Sequence, residues 1–234
     1  MLAAMPNPPI LPAAREVLPG LWLAQAALAT AAQAAALRCP AALPLAAVHY
    51  PAAHRRQAFL AGRTVAATAL AALQRPGEVG RAADGAPSWP AAVVGSIAHD
   101  GAQAVAVVGL NAQWQALGVD VEPDLPLPAD AASVALRVED QAALRQHFGP
   151  EALRYSRLVF SAKECVHKAL HPLRGAWLDF DAVRIEWHSR LANGGGWQAL
   201  PVSQEAEAAF AGLNLQGRWW RDEGALWSLL ALSR

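Results

Sequence analysis

Apolar and polar positions along the chain fall into two stretches of helix followed by strand, with a break near residues 112–117. Residues 1–20 are rich in Pro and read as irregular. Val17–Leu37 carries no charge, and its Ala-rich run predicts a helix from about Leu21 to Leu37, stopped by Pro40 and Pro44. His54–Leu73 sets Phe59, Leu60, Val65, Leu70 and Leu73 at helical spacing. Gly77–Pro90 reads as a long Gly/Pro loop, a class that is often functional. Ala91–Ile97 and Ala102–Leu110, split by HDG, read as a β-hairpin.

In the second stretch, LGVDVEP (Leu117–Pro123) alternates as a short strand ended by Pro123, and Pro126 and Pro128 extend the break. Helical patterns return at Glu139–Phe148 and Glu151–Leu170. VRIEWHS and GWQALPV read as strands around NGGG. The final LNLQGRWWRDEGALWSLLALS reads as a hairpin turning at Asp222-Glu223-Gly224. The class is α+β with antiparallel sheet, divided into residues 1–114 and 115–234.

Composition narrows the function classes. The 234 residues include 19 basic and 19 acidic side chains, so net charge gives no pointer to nucleic acid. The uncharged Val17–Leu37 run is long enough for a membrane span. Its Ala content and the polar Gln25, Thr30 and Gln33 favour a buried or amphipathic helix instead. MLAAMPNPP lacks the basic region and apolar core of a signal peptide. Two distant cysteines, Cys39 and Cys165, form no CxxC pair, and a reducing cytoplasm is expected.

Four clusters carry candidate chemistry. Asp120 and Glu122 are two apart on a strand and so share a face, opposite Val119 and Val121. Paired carboxylates suit Mg²⁺; the alternative is a solvent-facing strand edge. FSAKECVHKAL (Phe160–Leu170) holds Lys163, Glu164, His167 and Lys168 in an otherwise apolar helix. Glu164 and Lys168 are four apart, which also fits an ordinary surface pair. His167 and His171 share that spacing, but HKALH lacks the glutamate of a zinc-protease motif. GSIAHDG places His99 at a strand end between glycines, where a turn histidine is the alternative. Arg56 and Arg63, two helical turns apart, suit phosphate, although a solvated basic face has the same spacing.

Taken together and in order, FLAGR (Phe59–Arg63), PSWP…VVGSIAH (Pro87–His99), GVDVE (Gly118–Glu122) and FSAKECVHKAL resemble the 4′-phosphopantetheinyl transferases, in the group that includes the surfactin and enterobactin enzymes. The resemblance covers roughly residues 45–185. It implies two similar α+β halves related by a pseudo-twofold, a CoA-gripping N-terminal half and a C-terminal half carrying the metal site, working as a monomer. It implies transfer of phosphopantetheine from coenzyme A to a serine of an apo acyl or peptidyl carrier protein, with release of adenosine 3′,5′-bisphosphate.

By the same resemblance, Asp120, Glu122 and Glu164 hold Mg²⁺ and Lys168 stabilises the departing phosphate, with Lys163 in support. His99 meets a CoA phosphate, while Arg63 with Arg56 or Arg55 grips the nucleotide end. Glu164 is the expected base. Two positions depart from the pattern: Ala98 replaces a usual Ser or Thr, and Ala86 replaces a common basic residue near Arg81. A non-catalytic CoA- or carrier-binding module is therefore the alternative. A Mg²⁺-dependent phosphohydrolase would use the same carboxylates without a carrier. The candidate carriers are those of siderophore or other secondary-metabolite peptide synthetases, polyketide synthases and fatty-acid synthase, and neither nucleic acid nor membrane is an expected partner.

Overall fold

The computed structural model describes residues 12–222 and 224–234. In chain order, β1 (Ala13–Leu18) and β2 (Leu21–Ala27) form a hairpin, and α1 (Leu28–Gln33), α2 (Ala35–Arg38) and α3 (Ala42–His49) lead into the long α4 (Ala53–Ala72). Short β3 (Gly80–Arg81) and β4 (Pro87–Ser88) pair within the following loop, and β5 (Val93–His99) and β6 (Gln103–Leu110) form the expected hairpin. Next come β7 (Trp114–Pro123), α5 (Ala129–Ala135), α6 (Val138–Phe148) and α7 (Ser156–Arg174). The chain ends with β8 (Val183–Leu191), β9 (Gly194–Pro201), α8 (Gln204–Phe210), β10 (Gln216–Asp222) and β11 (Ala225–Ser233). The strands make two main antiparallel sheets, ordered β1-β2-β6-β5 and β7-β11-β10-β9-β8.

Alternation along the strands explains how the sheets stack. In β6, Ala104, Ala106 and Val108 pack on α4, while Val105 and Val107 face the other way. In β11, Leu226, Leu230 and Leu232 join the core under α7, while Ala225, Trp227 and Leu229 face the first sheet. The two sheets thus share an apolar layer, with helices on both outer faces. Edge strands β5 and β7 come together there, and the Val119 N–H donates to Ser96 Oγ at 3.1 Å.

Leu117, Val119 and Val121 of β7 enter the shared layer, as their alternation predicts. The opposite face is covered by α7. Helix and strand approach so closely at Gly118 that an added Cβ would stand 2.0 Å from the Cys165 carbonyl oxygen.

Several expectations need correction. The helix expected from Leu21 is strand β2 up to Ala27, followed by two short helices. Leu21 and Leu23 face the inter-sheet layer while Ala24 faces α4. A strand buried on both faces reads as a continuous apolar run, which periodicity alone does not separate from a helix. β1 occupies part of the region read as irregular; residues 1–11 of that region and Glu223 of the expected turn lie outside the described residues. Pro44 does not stop a helix but sits in the first turn of α3, where proline is tolerated. The helix read from Glu151 begins at Ser156 and runs to Arg174, ending at the left-handed Gly175 (φ 65°). Helices α5 and α8 were not expected, although Ser203 caps α8 by accepting the Ala206 N–H at 3.1 Å. Among the described residues, no helix is long and apolar enough to cross a membrane.

Gly118→Ala must push α7 off β7, and the resulting strain costs about 1–3 kcal/mol or more. Urea unfolding at equilibrium measures it; an unchanged midpoint would contradict this packing.

Candidate active site

Helix α7 lays one polar stripe across β7. Arg157, Ser161, Glu164 and Lys168 recur at spacings of four, three and four residues, which keeps them on one helical face. Asp120 and Glu122 meet that stripe from the strand. Lys168 Nζ donates to Asp120 Oδ1 at 2.6 Å and lies 3.7 Å from Glu164 Oε2. Arg157 Nη1 donates to Glu122 Oε2 at 2.5 Å, and its Nε donates to the Pro126 carbonyl at 3.3 Å. The second Asp120 oxygen, Oδ2, and the Ser161 hydroxyl are buried and neither makes a hydrogen bond of good geometry, although the hydroxyl is close enough to Asp120 to favour its ionised form slightly. Asp120 is therefore not on a solvent-facing strand edge: it is 4% exposed beneath α7.

The electrostatics follow from that burial. Desolvation pushes the Asp120 pKa up against the pull of Lys168. Glu122 is pushed up to about 7, first by burial and then by Asp120, with Arg157 opposing. Burial pulls Lys168 down, but the Asp120 and Glu164 carboxylates outweigh it and its pKa rises. Among the described residues, no three His, Cys, Asp or Glu side chains form a ready-made metal cluster; the Lys168 ammonium links Asp120 to Glu164 instead. The unpartnered Asp120 oxygen and the raised carboxylate pKa values nevertheless fit a hard divalent cation, which would supply the missing positive charge.

His99, at the end of β5, lies within the electrostatic reach of Lys168 and Asp120 and lines a cavity of about 410 Å³ together with Tyr50, His54, Arg55, Phe59 and Arg63. Desolvation, and then the Lys168 ammonium, lower the His99 pKa. Arg63 is buried, donates from Nη2 to the Gly80 carbonyl at 2.9 Å, and stacks 4.4 Å from the Phe59 ring centre. Burial lowers its pKa to about 10, which leaves it charged at neutral pH. Its Nε is buried and unpartnered. Arg56 is placed differently: its Nη1 donates to the carbonyls of Tyr50 and Pro51, both at 3.1 Å. Arg55 is the one that lines the cavity. Two guanidiniums and no carboxylate make a lining suited to phosphate.

Comparison with known proteins agrees with this geometry. The model of the 4′-phosphopantetheinyl transferase N-terminal domain matches residues 43–109, and that of the 4′-phosphopantetheinyl transferase superfamily matches residues 116–208. The chain is 32% identical over 185 residues to 4′-phosphopantetheinyl transferase Npt of Nocardia iowensis, covering 76% of this chain and 82% of that one. It is 34% identical over 175 residues to Svp of Streptomyces mobaraensis (73% and 70% covered), another protein named as a 4′-phosphopantetheinyl transferase. It is 31% identical over 186 residues to PptT of Mycobacterium tuberculosis, named likewise (77% and 80% covered). The chain belongs to the 4′-phosphopantetheinyl transferase family.

Within this family member, Lys163 is not where the resemblance implies. Its Nζ donates to Asp140 Oδ2 at 2.6 Å and to the carbonyls of Ala135 and Phe180 at 2.9 and 2.8 Å. An ammonium has three donors, so none is left for a phosphate. Asp140 in turn accepts the backbone N–H groups of Arg137 and Ile185, and the pair locks α5, α6, α7 and β8 together. His167 and His171 stack with ring centres 5.5 Å apart against Trp177. His171 Nε2 lies 2.9 Å from Asp84 Oδ2, tying the loop before β5 to α7. Cys165 is buried, and desolvation drives its thiol pKa well up, so it is no nucleophile. Arg157 and Ser161 were missed as site residues, while Arg55, named only as the alternative to Arg56, is the one at the cavity. The spacing of Arg157 and Ser161 with Glu164 and Lys168 was an available signal.

Lys163→Met strands the Asp140 carboxylate in the core and costs about 3–5 kcal/mol, measured by urea unfolding. A second test concerns Glu122, whose pKa rises from 4.5 to about 7 on folding. The folded protein then binds the proton more tightly, so metal-free protein loses stability as pH rises from about 4.5 to about 7. Thermal melts in chelator should show that slope, and Glu122→Gln should reduce it, leaving the part of the same sign that comes from the raised Asp120 pKa.

Proposed function

We propose that this protein transfers 4′-phosphopantetheine from coenzyme A to a serine hydroxyl of an apo acyl or peptidyl carrier protein, with Mg²⁺, releasing adenosine 3′,5′-bisphosphate. The supporting observation is that His99 lines a cationic cavity and lies within the electrostatic reach of Lys168 and Asp120 in the Asp120–Glu122–Glu164–Lys168 cluster. Coenzyme A has the same two parts, a 3′-phosphorylated nucleotide and a pyrophosphate. Arg63 and Arg55, rather than Arg56, would grip the nucleotide phosphate, and His99 would meet the pyrophosphate. Asp120, Glu122 and Glu164 would hold Mg²⁺, which neutralises the pyrophosphate when bound.

In the reaction, the serine oxygen forms a bond to the phosphorus that carries pantetheine. The bond from that phosphorus to the oxygen bridging to the nucleotide breaks. Glu164 takes the serine proton. Lys168, fixed by Asp120, meets charge developing on the departing oxygen, as fixed cations do in phosphoryl transfer. We assign the two halves to residues 1–114 and 115–234, related by a pseudo-twofold and acting as a monomer in the cytoplasm. The motif order supports membership of the surfactin and enterobactin group, with carriers of siderophore or other peptide synthetases, polyketide synthases and fatty-acid synthase as the candidate partners.

A non-catalytic CoA- or carrier-binding module is favoured by Ala86 and Ala98. Ala98, however, packs into the layer between the sheets and does not line the cavity that His99 does, which weakens its part in that reading.

Intact-protein mass spectrometry on a panel of apo carriers with CoA and Mg²⁺ tests the function. The expected outcome is a gain of one phosphopantetheinyl group, abolished by EDTA and slowed on the order of 100-fold by Lys168→Ala. Asp120→Ala and Glu164→Ala should also lose activity. Binding of CoA without transfer to any carrier would establish the non-catalytic reading instead.

A further inference from the structure

The two β7 carboxylates are held alike. Each surrenders one oxygen to a cation from α7: Asp120 Oδ1 to Lys168, and Glu122 Oε2 to Arg157. Asp120 keeps its other oxygen without a hydrogen bond. Among the described residues, Arg157 is the hydrogen-bond partner of the Glu122 carboxylate, and it takes only one of its oxygens. Lys168 has a role in the proposed reaction, whereas nothing so far explains Arg157.

We propose that Arg157 is a positioning residue for the divalent-cation site: it pins Glu122 so that the oxygen left free is presented to the same cation as the unpartnered oxygen of Asp120. This rests on the Mg²⁺ reading above. Three features carry it. The pair is only 16% and 14% exposed at its side chains, so it is not a solvated surface contact of little consequence. The guanidinium is anchored twice, on Glu122 and on the Pro126 carbonyl, and its planar fork transmits that fixed direction to the carboxylate. Arg157 also occupies the same helical stripe as Glu164 and Lys168, two turns ahead of Glu164. Partners that orient a ligating carboxylate from outside the coordination shell are a general feature of metal sites. A Lys here would reach one of the two acceptors but would not fix their relative direction.

Mn²⁺, which accepts the same oxygen ligands, is the probe, with binding followed by electron paramagnetic resonance with and without CoA. Arg157→Met should weaken Mn²⁺ binding by about 10-fold or more, and Arg157→Lys should fall between it and the wild type. If Arg157 acts through Glu122, adding Arg157→Met to Glu122→Gln should cost little further, whereas a merely structural role would give additive losses. Unchanged or tighter Mn²⁺ binding in Arg157→Met would overturn the proposal, because Arg157 would then be idle or competing with the cation. So would full additivity. Should Arg157→Met fail to fold, as judged by circular dichroism, Arg157→Lys carries the same test: wild-type affinity in it overturns the proposal. If the wild type binds CoA but takes up no Mn²⁺, the metal reading itself fails and the role of Arg157 falls with it.

Discussion

The contact on which the rest depends is between α7 and β7 at Gly118. With no Cβ on the strand at that point, the Cys165 backbone comes down onto it. This closeness brings a lysine and an arginine within hydrogen-bond reach of two strand carboxylates. It also removes those carboxylates from water, and their pKa values rise as a result. Geometry and electrostatics at the site thus share one steric cause. A larger side chain at position 118 would separate the charges and let solvent in at the same time.

How far the sequence could be read depended on whether a pattern was set by near neighbours or distant ones. The alternation of Val119 and Val121 with Asp120 and Glu122 is local, and it correctly oriented β7. The Glu164–Lys168 spacing on α7 and the β5–β6 hairpin were legible for the same reason, whereas Arg157 and Ser161 on the same stripe were passed over. Burial of Asp120 was not, because the covering helix lies some forty residues downstream. β2 misled because both of its faces are buried, so the polar half of a strand's alternation never appears. Its Ala-rich run looked like a helix for that reason alone.

Neighbouring cations show the same limit more sharply. Arg55 and Arg56 are adjacent, yet a helix turns by about 100° per residue, so one lines the cavity and the other ties down the chain ahead of α4. Lys163 and Lys168 belong to one motif, but one is locked into a junction of α5, α6 and β8 while the other reaches Asp120. Charge type was visible in the sequence in each case. The phase of the helix against its neighbours decided the role, and that phase is a tertiary property.

The meeting of β5 with β7 has a consequence beyond the site. It leaves β1 and β8 as the outer edges of the two sheets. Both are irregular: the pairing of β1 shifts between Glu16 and Leu18, and that of β8 between His188 and Arg190. Both also carry charge, from Arg15 and Glu16 on β1 and from the Arg184–Glu186 pair, 3.0 Å apart, on β8. Breaks in register and charged side chains are devices that discourage a strand of another molecule from adding on. In a chain that is 54% hydrophobic, these guarded edges oppose aggregation.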